Sequence, residues 1–324
     1  MSFPLSRRTF LAAAALPLAR GAAAQAGYPD RPVKVVVPNA PGSSVDTIGR
    51  IACIELGRAL GQPLVIDNRA GAAGALGVEV ARTAAPDGYT LLVGSSSAIS
   101  VAPLLQKAVN YQPLRDFDFI STLALLPNVL VCNPALPVQD VAQLIAYAKS
   151  KGTASNMASA GIGSVSHLAG VALQAAGGFK SLHVPYKGGS QGVASVVSGE
   201  TDWVLTPAPA AMALVNAGRL RLLGHSLAPS AQPLGATPSL GSTLPGFEFA
   251  SWIGLMAPRG LPPRVLDTLG KAASAALQRP DLHKGFESNG AVPTASSADE
   301  FRQLVARDMD LHRKAIAVAG IQPE

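Results

Sequence analysis

The segment Val33–Arg50, VKVVVPNAPGSSVDTIGR, constrains the fold more than any other stretch of the chain. Val33–Val37 is a continuous apolar run with the length and β-branching of a buried parallel strand. Pro38–Ser44 then forms a Pro/Gly loop, after which Ile48, Ile51, Ala52 and Leu56 recur on one helical face. Ser43 and Asp46 have the S-x-x-D spacing of a capping box, so a helix N-terminus is expected where the loop ends. Its free backbone N–H groups, the hydroxyls of Ser43 and Ser44, and Gly42, which permits close approach, make a seat for an anion. Ser159–His167, SAGIGSVSH, repeats this chemistry ahead of a second helical pattern. Two such seats so far apart in sequence imply a ligand held between two lobes.

Strand and helix patterns alternate along the rest of the chain, which points to an α/β fold with largely parallel sheets. Pro63–Asn68, Tyr89–Gly94 and Val129–Val131 read as strands, followed by short ones at Ser155–Ser159, His183–Tyr186, Trp203–Thr206 and Arg221–Gly224. Ala228–Gly246 is the longest irregular stretch, Ser251–Ala257 is strand-like, and Pro263–Gln278 and Ala298–Ala319 are amphipathic helices. In open parallel sheets ligands sit beyond the carboxyl ends of the strands. That rule selects the loops at Asn39–Ser44, Ala70–Gly74, Ser95–Ser97, Ser159–Ser164, Tyr186–Ser190 and Thr206–Pro209. They are rich in Gly and Ser and poor in charge, so binding there runs through backbone and hydroxyl donors and not through a salt bridge.

Composition excludes several alternatives. Hydrophobic residues make up 48% and charged ones 14% of the 324 residues, a balance that folds around a large core. The first 26 residues carry a basic start, an apolar stretch Phe10–Ala19 too short to span a bilayer, and a small-residue exit at Ala24–Ala26. Within them, Ser6-Arg7-Arg8-Thr9-Phe10-Leu11 resembles the twin-arginine export motif, with the ordinary secretory route as the alternative, and by either route a mature periplasmic protein beginning near Gly27 is expected. Loss of Arg7, Arg8 and Arg20 with that leader lowers the net charge from +6 to +3. The remaining cations are scattered, which argues against nucleic acid as a partner. Cys53 and Cys132 fall in different expected lobes and read as separate buried thiols, and no metal-ligand spacing or cofactor motif is present.

By their order, several motifs resemble one family. Pro38–Gly42 with Asp46 is similar to its first-loop signature, Asn68–Gly74 to its N-R-P-G-A-G-G segment, and Ala85–Leu91 reads A-P-D-G-Y-T-L. Ala158–Gly161, His183–Gly188 and Ser251–Leu255 follow in the expected order. The chain thus resembles the Bug-type extracytoplasmic solute receptors, the substrate-binding proteins of tripartite tricarboxylate transporters. The resemblance implies a two-lobed periplasmic binding-protein fold, type II-like, with a cleft that closes on a small carboxylate. It also implies that the ligand is handed to membrane transporter subunits; with no catalytic, cofactor or metal motif in the sequence, the expected protein is a monomer that is not an enzyme and needs no cofactor or metal. A receptor that passes the same ligand class to a periplasmic signalling partner is the alternative. The expected division is an export signal over 1–26, one lobe from 27–119 and 252–324, and the other from 120–251. Crossings are expected near Ile120–Pro127 and Pro245–Ser251. Asn39 stands where the family has an aromatic, Ser100 where Asn is common, and Thr206-Pro207 in place of Phe-Asp, so the pocket wall departs from the family pattern.

The ligand-binding candidates are Asn39, Gly42, Ser43, Ser44, Asp46, Ser97, Ser159, Gly161, Ser164, Tyr186 and Thr206. Asp46 is a helix cap that could also order water, since a bare carboxylate would repel an anionic ligand. Arg69 could clamp a carboxylate, but the Gly-rich loop behind it suggests a structural fork onto backbone carbonyls. His167, three residues into its helix, reads as structural. Gly224–Ala228 comes close to a nucleophile elbow, but Pro229 prevents the helix that an elbow requires, so a serine hydrolase built on Ser226 is a remote alternative.

Overall fold

The computed structural model describes residues 27–231 and 234–323; the expected export signal lies outside them. β1 (Val33–Val37) leads to α1 (Ser44–Leu60), β2 (Leu64–Asn68), α2 (Ala75–Arg82) and β3 (Thr90–Ser95). A π-helical turn, Ser96–Val101, precedes α3 (Ala102–Leu105) and α4 (Pro113–Asp116). Next come β4 (Phe117–Cys132), α5 (Val141–Lys151), β5 (Asn156–Ser159), α6 (Val165–Gly177), β6 (Leu182–Pro185) and α7 (Gly189–Ser198). β7 (Trp203–Pro207), α8 (Met212–Asn216), β8 (Arg221–His225) and α9 (Leu240–Thr243) follow. The order is completed by β9 (Ala250–Pro258), α10 (Pro263–Ala276), α11 (Pro280–Ser288), β10 (Val292–Pro293) and α12 (Ala298–Ala319).

The strands lie in the order β2-β1-β3-β9-β4-β7-β5-β6, with β8 and β10 also pairing with β4. β1 is parallel to β2 and β3, and β5 is parallel to β6 and β7. The sheets are mixed: β9 runs antiparallel between β3 and β4. Geometry requires this, because β4 carries the chain out of one half and β9 brings it back. Phe117–Pro127 pairs with β9, whereas Asn128–Cys132 pairs with β7 and β8, so β4 passes between halves at Pro127/Asn128 without a break. The point is stapled by side chains. Asn128 Nδ2 donates to Phe249 O (2.6 Å), and Ser226 Oγ accepts from Asn128 N (2.9 Å) and donates to Phe249 O (2.5 Å).

Each half has its own core. Val33, Val35, Ile48, Leu56, Leu91 and Ile253 pack in the first; Leu130, Met157, Leu168, Trp203, Leu205 and Phe249 pack in the second. Cys53 belongs to the first and Cys132 to the second, and both are buried free thiols, as expected. Two elements tie the halves together. α3 puts Leu105 into the second core, and α12 starts on Phe301 and Val305 in the first half and ends with Ile316 in the second.

Candidate functional site

Parallel strands end on the same edge, and that edge makes the site. The first half brings to it the loop after β1, the π-helical turn after β3 and the start of β9. The second half brings the loops after β5, β6 and β7. Between them lies a cavity of about 140 Å³, lined among others by Asn39, Ser43, Ser44, Ser97, Ser164 and Thr206. It opens into a hollow of about 450 Å³ that shares Asn39, Ser43, Ser97 and Ser164 with it. Nine of the inner cavity's lining residues are serine and none is charged, so a bound anion meets dipoles and hydroxyls, not a guanidinium. Lys187 is the one charged residue in the outer hollow.

Three helices begin at this cavity. Ser43 caps α1 by accepting from Asp46 N (3.3 Å), and Ser164 caps α6 by accepting from His167 N (3.2 Å). α7 starts at Gly189 with no side-chain cap, so its first N–H groups, beside Ser190 and Thr206, remain available to a ligand. The sequence reading nominated the Tyr186–Ser190 loop but not this third helix start, because no cap residue signals it. Ser95 Oγ and Ser251 Oγ, on residues only 5% exposed, have no protein partner and line the same cavity, as does Asn39 Oδ1. Buried hydroxyls without partners are costly, so their convergence in one cavity marks where a polar ligand completes them. Ser251 and Trp252 arrive from β9, which the strand-end rule overlooks since it runs antiparallel. Trp252 is held by its Nε1 donating to Asp308 Oδ2 (2.7 Å).

Of the candidates read from the sequence, Asn39, Gly42, Ser43, Ser44, Ser97, Ser164 and Thr206 line the cavity. Asp46, Ser159, Gly161 and Tyr186 lie behind its wall. Asp46 is 2% exposed and accepts from Gly42 N (2.8 Å), Asn68 Nδ2 (2.8 Å) and Arg50 Nε (2.9 Å). Burial pushes its carboxyl up, but the bonds from Arg50, Asn68 and Gly42 outweigh that and hold it below the ordinary aspartate value. The expected capping box is therefore half formed: Asp46 turns away from Ser43 N to fix the loop backbone from beneath. A reciprocal box does form at Ser297 and Glu300. Ser159 Oγ accepts from Gly161 N (3.0 Å) and contacts His183 Nε2 (2.6 Å), shaping the second loop from inside. Tyr186 packs in the second half with its hydroxyl buried.

Two readings are corrected. Arg69 forks onto the Asp67 carboxylate, with Nε at 2.9 Å from Oδ1, and not onto backbone carbonyls. Ser226 is fully buried and its hydroxyl is spent on the crossing staple, so it cannot present a nucleophile at a strand end. Among the described residues no cluster of His, Cys, Asp and Glu is arranged to hold a metal, and no helix is long and apolar enough to cross a membrane.

Comparison with known proteins agrees with this geometry. Residues 48–321 match the tripartite tricarboxylate transporter family receptor. The chain belongs to that family. It is 32% identical over 284 residues to the protein BugT of Bordetella pertussis, covering 87% of each chain. A Rhodopseudomonas palustris protein solved with adipate superposes with a TM-score of 0.86 at 30% identity, over 92% of this chain and 100% of that one. MatC of the same organism, solved with bound malate, gives 0.80 at 29% identity, over 89% and 100%. The fold is that of solved periplasmic binding proteins.

Proposed function

We infer that this protein is a periplasmic receptor that captures a small carboxylate between its two halves and delivers it to a tripartite tricarboxylate-type membrane transporter. The observation that carries this reading is the uncharged cavity where three helix N-termini and two partnerless serine hydroxyls meet. Micromolar capture needs about 8 kcal/mol. Several charge-assisted hydrogen bonds at ~1.5–3 kcal/mol each, added to the helix N-termini, reach that sum against the cost of immobilising the ligand. The inner cavity, at about 140 Å³, has room for a small organic acid, and the hollow beside it admits the rest of a longer one. Asn39, Gly42, Ser43, Ser44, Ser97, Ser164 and Thr206 are the contacts, with Asp46, Ser159, Gly161 and Tyr186 shaping the loops behind them. The halves close as hinged bodies, 27–127 with 250–324 against 128–249, pivoting where β4 crosses at Pro127/Asn128 and where the chain returns at Phe249/Ala250.

Adipate and malate, found in the two relatives, support a carboxylate and serve as the first probes. The test is a thermal-shift panel of mono- and dicarboxylates on refolded, ligand-stripped protein. A ligand at 100 times its Kd adds ~2.7 kcal/mol of stability. A panel in which no small carboxylate raises the melting temperature sinks the reading. Delivery is tested separately by uptake in cells with and without the receptor.

A further inference from the structure

Behind the second loop lies a pair of histidines for which ligand contact supplies no role. The rings of His167, on α6, and His183, on β6, stack with centroids 3.8 Å apart and planes 6° from parallel. His167 is 7% exposed, and its Nδ1 accepts a hydrogen bond from Gly163 N at 3.0 Å. An imidazole nitrogen that accepts from an N–H carries no proton, so the ring is neutral with its proton on Nε2. Gly163 holds a left-handed conformation, φ 71°, and lines the outer hollow. A Cβ placed there would overlap Leu105 Cδ1, from the short α3 that reaches across from the first half. His167 therefore fixes the backbone on which the opposite half lands when the cleft is closed.

We propose that His167 is a positioning residue that holds the Gly163 landing point only while its ring is uncharged, so that protonation releases the Ser159–Ser164 loop and weakens carboxylate capture. A proton on Nδ1 would face the Gly163 N–H donor to donor, and the bond would become a repulsion. Burial, and then the stacked His183, push His167 down to about 4 in the closed arrangement. When the loop swings out, the ring regains water and returns toward the ordinary histidine value, near 6.5. Protons therefore favour the open form below that value. Of the elements packed on α6, β5 and β7 carry no titratable side chain, and β6 supplies His183. On α12, Asp308 and His312 face each other, with His312 Nε2 at 3.2 Å from Asp308 Oδ1.

The inference rests on the carboxylate reading, and the experiment separates the two. Titration calorimetry with adipate is run at about pH 7.5 and about pH 5.5 on wild type, His167→Asn and His167→Leu. Asn offers Oδ1 where His offers Nδ1, an acceptor that does not titrate; Leu offers none. Wild-type affinity should fall about tenfold more than that of His167→Asn between the two pH values, which cancels adipate's own titration. His167→Asn should bind within about threefold of wild type at the higher pH, and His167→Leu should be weak at both. Imidazole ¹⁵N NMR should show Nδ1 unprotonated in the neutral ring, and adipate should move the His167 titration to lower pH. Equal pH slopes for wild type and His167→Asn overturn the proposal, as does a neutral His167 ring that carries its proton on Nδ1 while adipate is bound. If no carboxylate binds any variant while the NMR result holds, the function reading fails and the loop clamp stands.

Discussion

At the scale of single residues, the serines of the cavity differ in what they cost the fold. Ser43 and Ser164 earn their place structurally by capping helices, whereas Ser95 and Ser251 keep buried hydroxyls with no protein partner. Removing a partnerless hydroxyl relieves a desolvation penalty and removes a ligand donor. Ser95→Ala and Ser251→Ala should therefore leave the melting temperature unchanged or raised, while each weakens adipate binding by about 1–2 kcal/mol. Calorimetric melts paired with titrations would check this; a lowered melting temperature with full affinity would mean that the hydroxyls serve the fold. Asp46 shows how spacing misleads at this scale. The S-x-x-D pattern located the helix start correctly, but a carboxylate within reach of Gly42 N, Asn68 and Arg50 gains three charge-assisted bonds by turning away from the cap. Only the fold could bring Asn68 there, 22 residues downstream.

Elements hold the loops in place by contact. α2 lies so close to the first loop that a Cβ at Gly77 would come 2.6 Å from Pro38 Cα and 2.7 Å from Arg69 O. Both are backbone atoms that cannot swing aside. Gly77→Ala should then push α2 off the β1 loop and cost about 1–3 kcal/mol, read as a lowered midpoint in urea unfolding, with weaker adipate binding as the loop shifts. Unchanged stability would show that the helix can slide. β4 is the element least legible in the sequence: buried on both faces for nearly all of its 16 residues, it has no alternation to reveal it. Reading only Val129–Val131 as strand placed the crossing in the preceding residues, which pair instead with β9. α7 was equally hidden, since a helix that opens on Gly188 and Gly189 shows none of the usual cap residues.

For the whole molecule, acid is the expected weak point. His167 is lowered to about 4, and His183 and His225 are also lowered, in each case chiefly by burial. With adipate holding the cleft closed, the unfolded chain takes up protons between about pH 6.5 and about 4 that the folded chain refuses, so stability falls as pH falls through that window. His167 alone accounts for about 3 kcal/mol of the decline. Asp46 acts in the other range: its lowered value contributes stability at neutral pH that is lost only as pH drops below the ordinary aspartate range. Urea unfolding across the acid range should show the first decline in wild type and a shallower one in His167→Asn. Equal curves would mean that His167 is not shielded in the folded state.

The sequence by itself determined the α/β class, the helix starts at Ser43 and Ser164, the separate thiols, and a cavity served by hydroxyls and backbone. All of these follow from local periodicity, cap chemistry and composition, which act over a few residues. The tertiary structure alone decided which strand ends face one another, that Ser251 and Trp252 from an antiparallel strand join the site, and that Asp46 and Ser159 stand behind it. It also decided that His167 lies beneath Gly163 with Leu105 opposite. These depend on contacts between segments far apart in the chain, and the packing that brings them together leaves no local pattern to read.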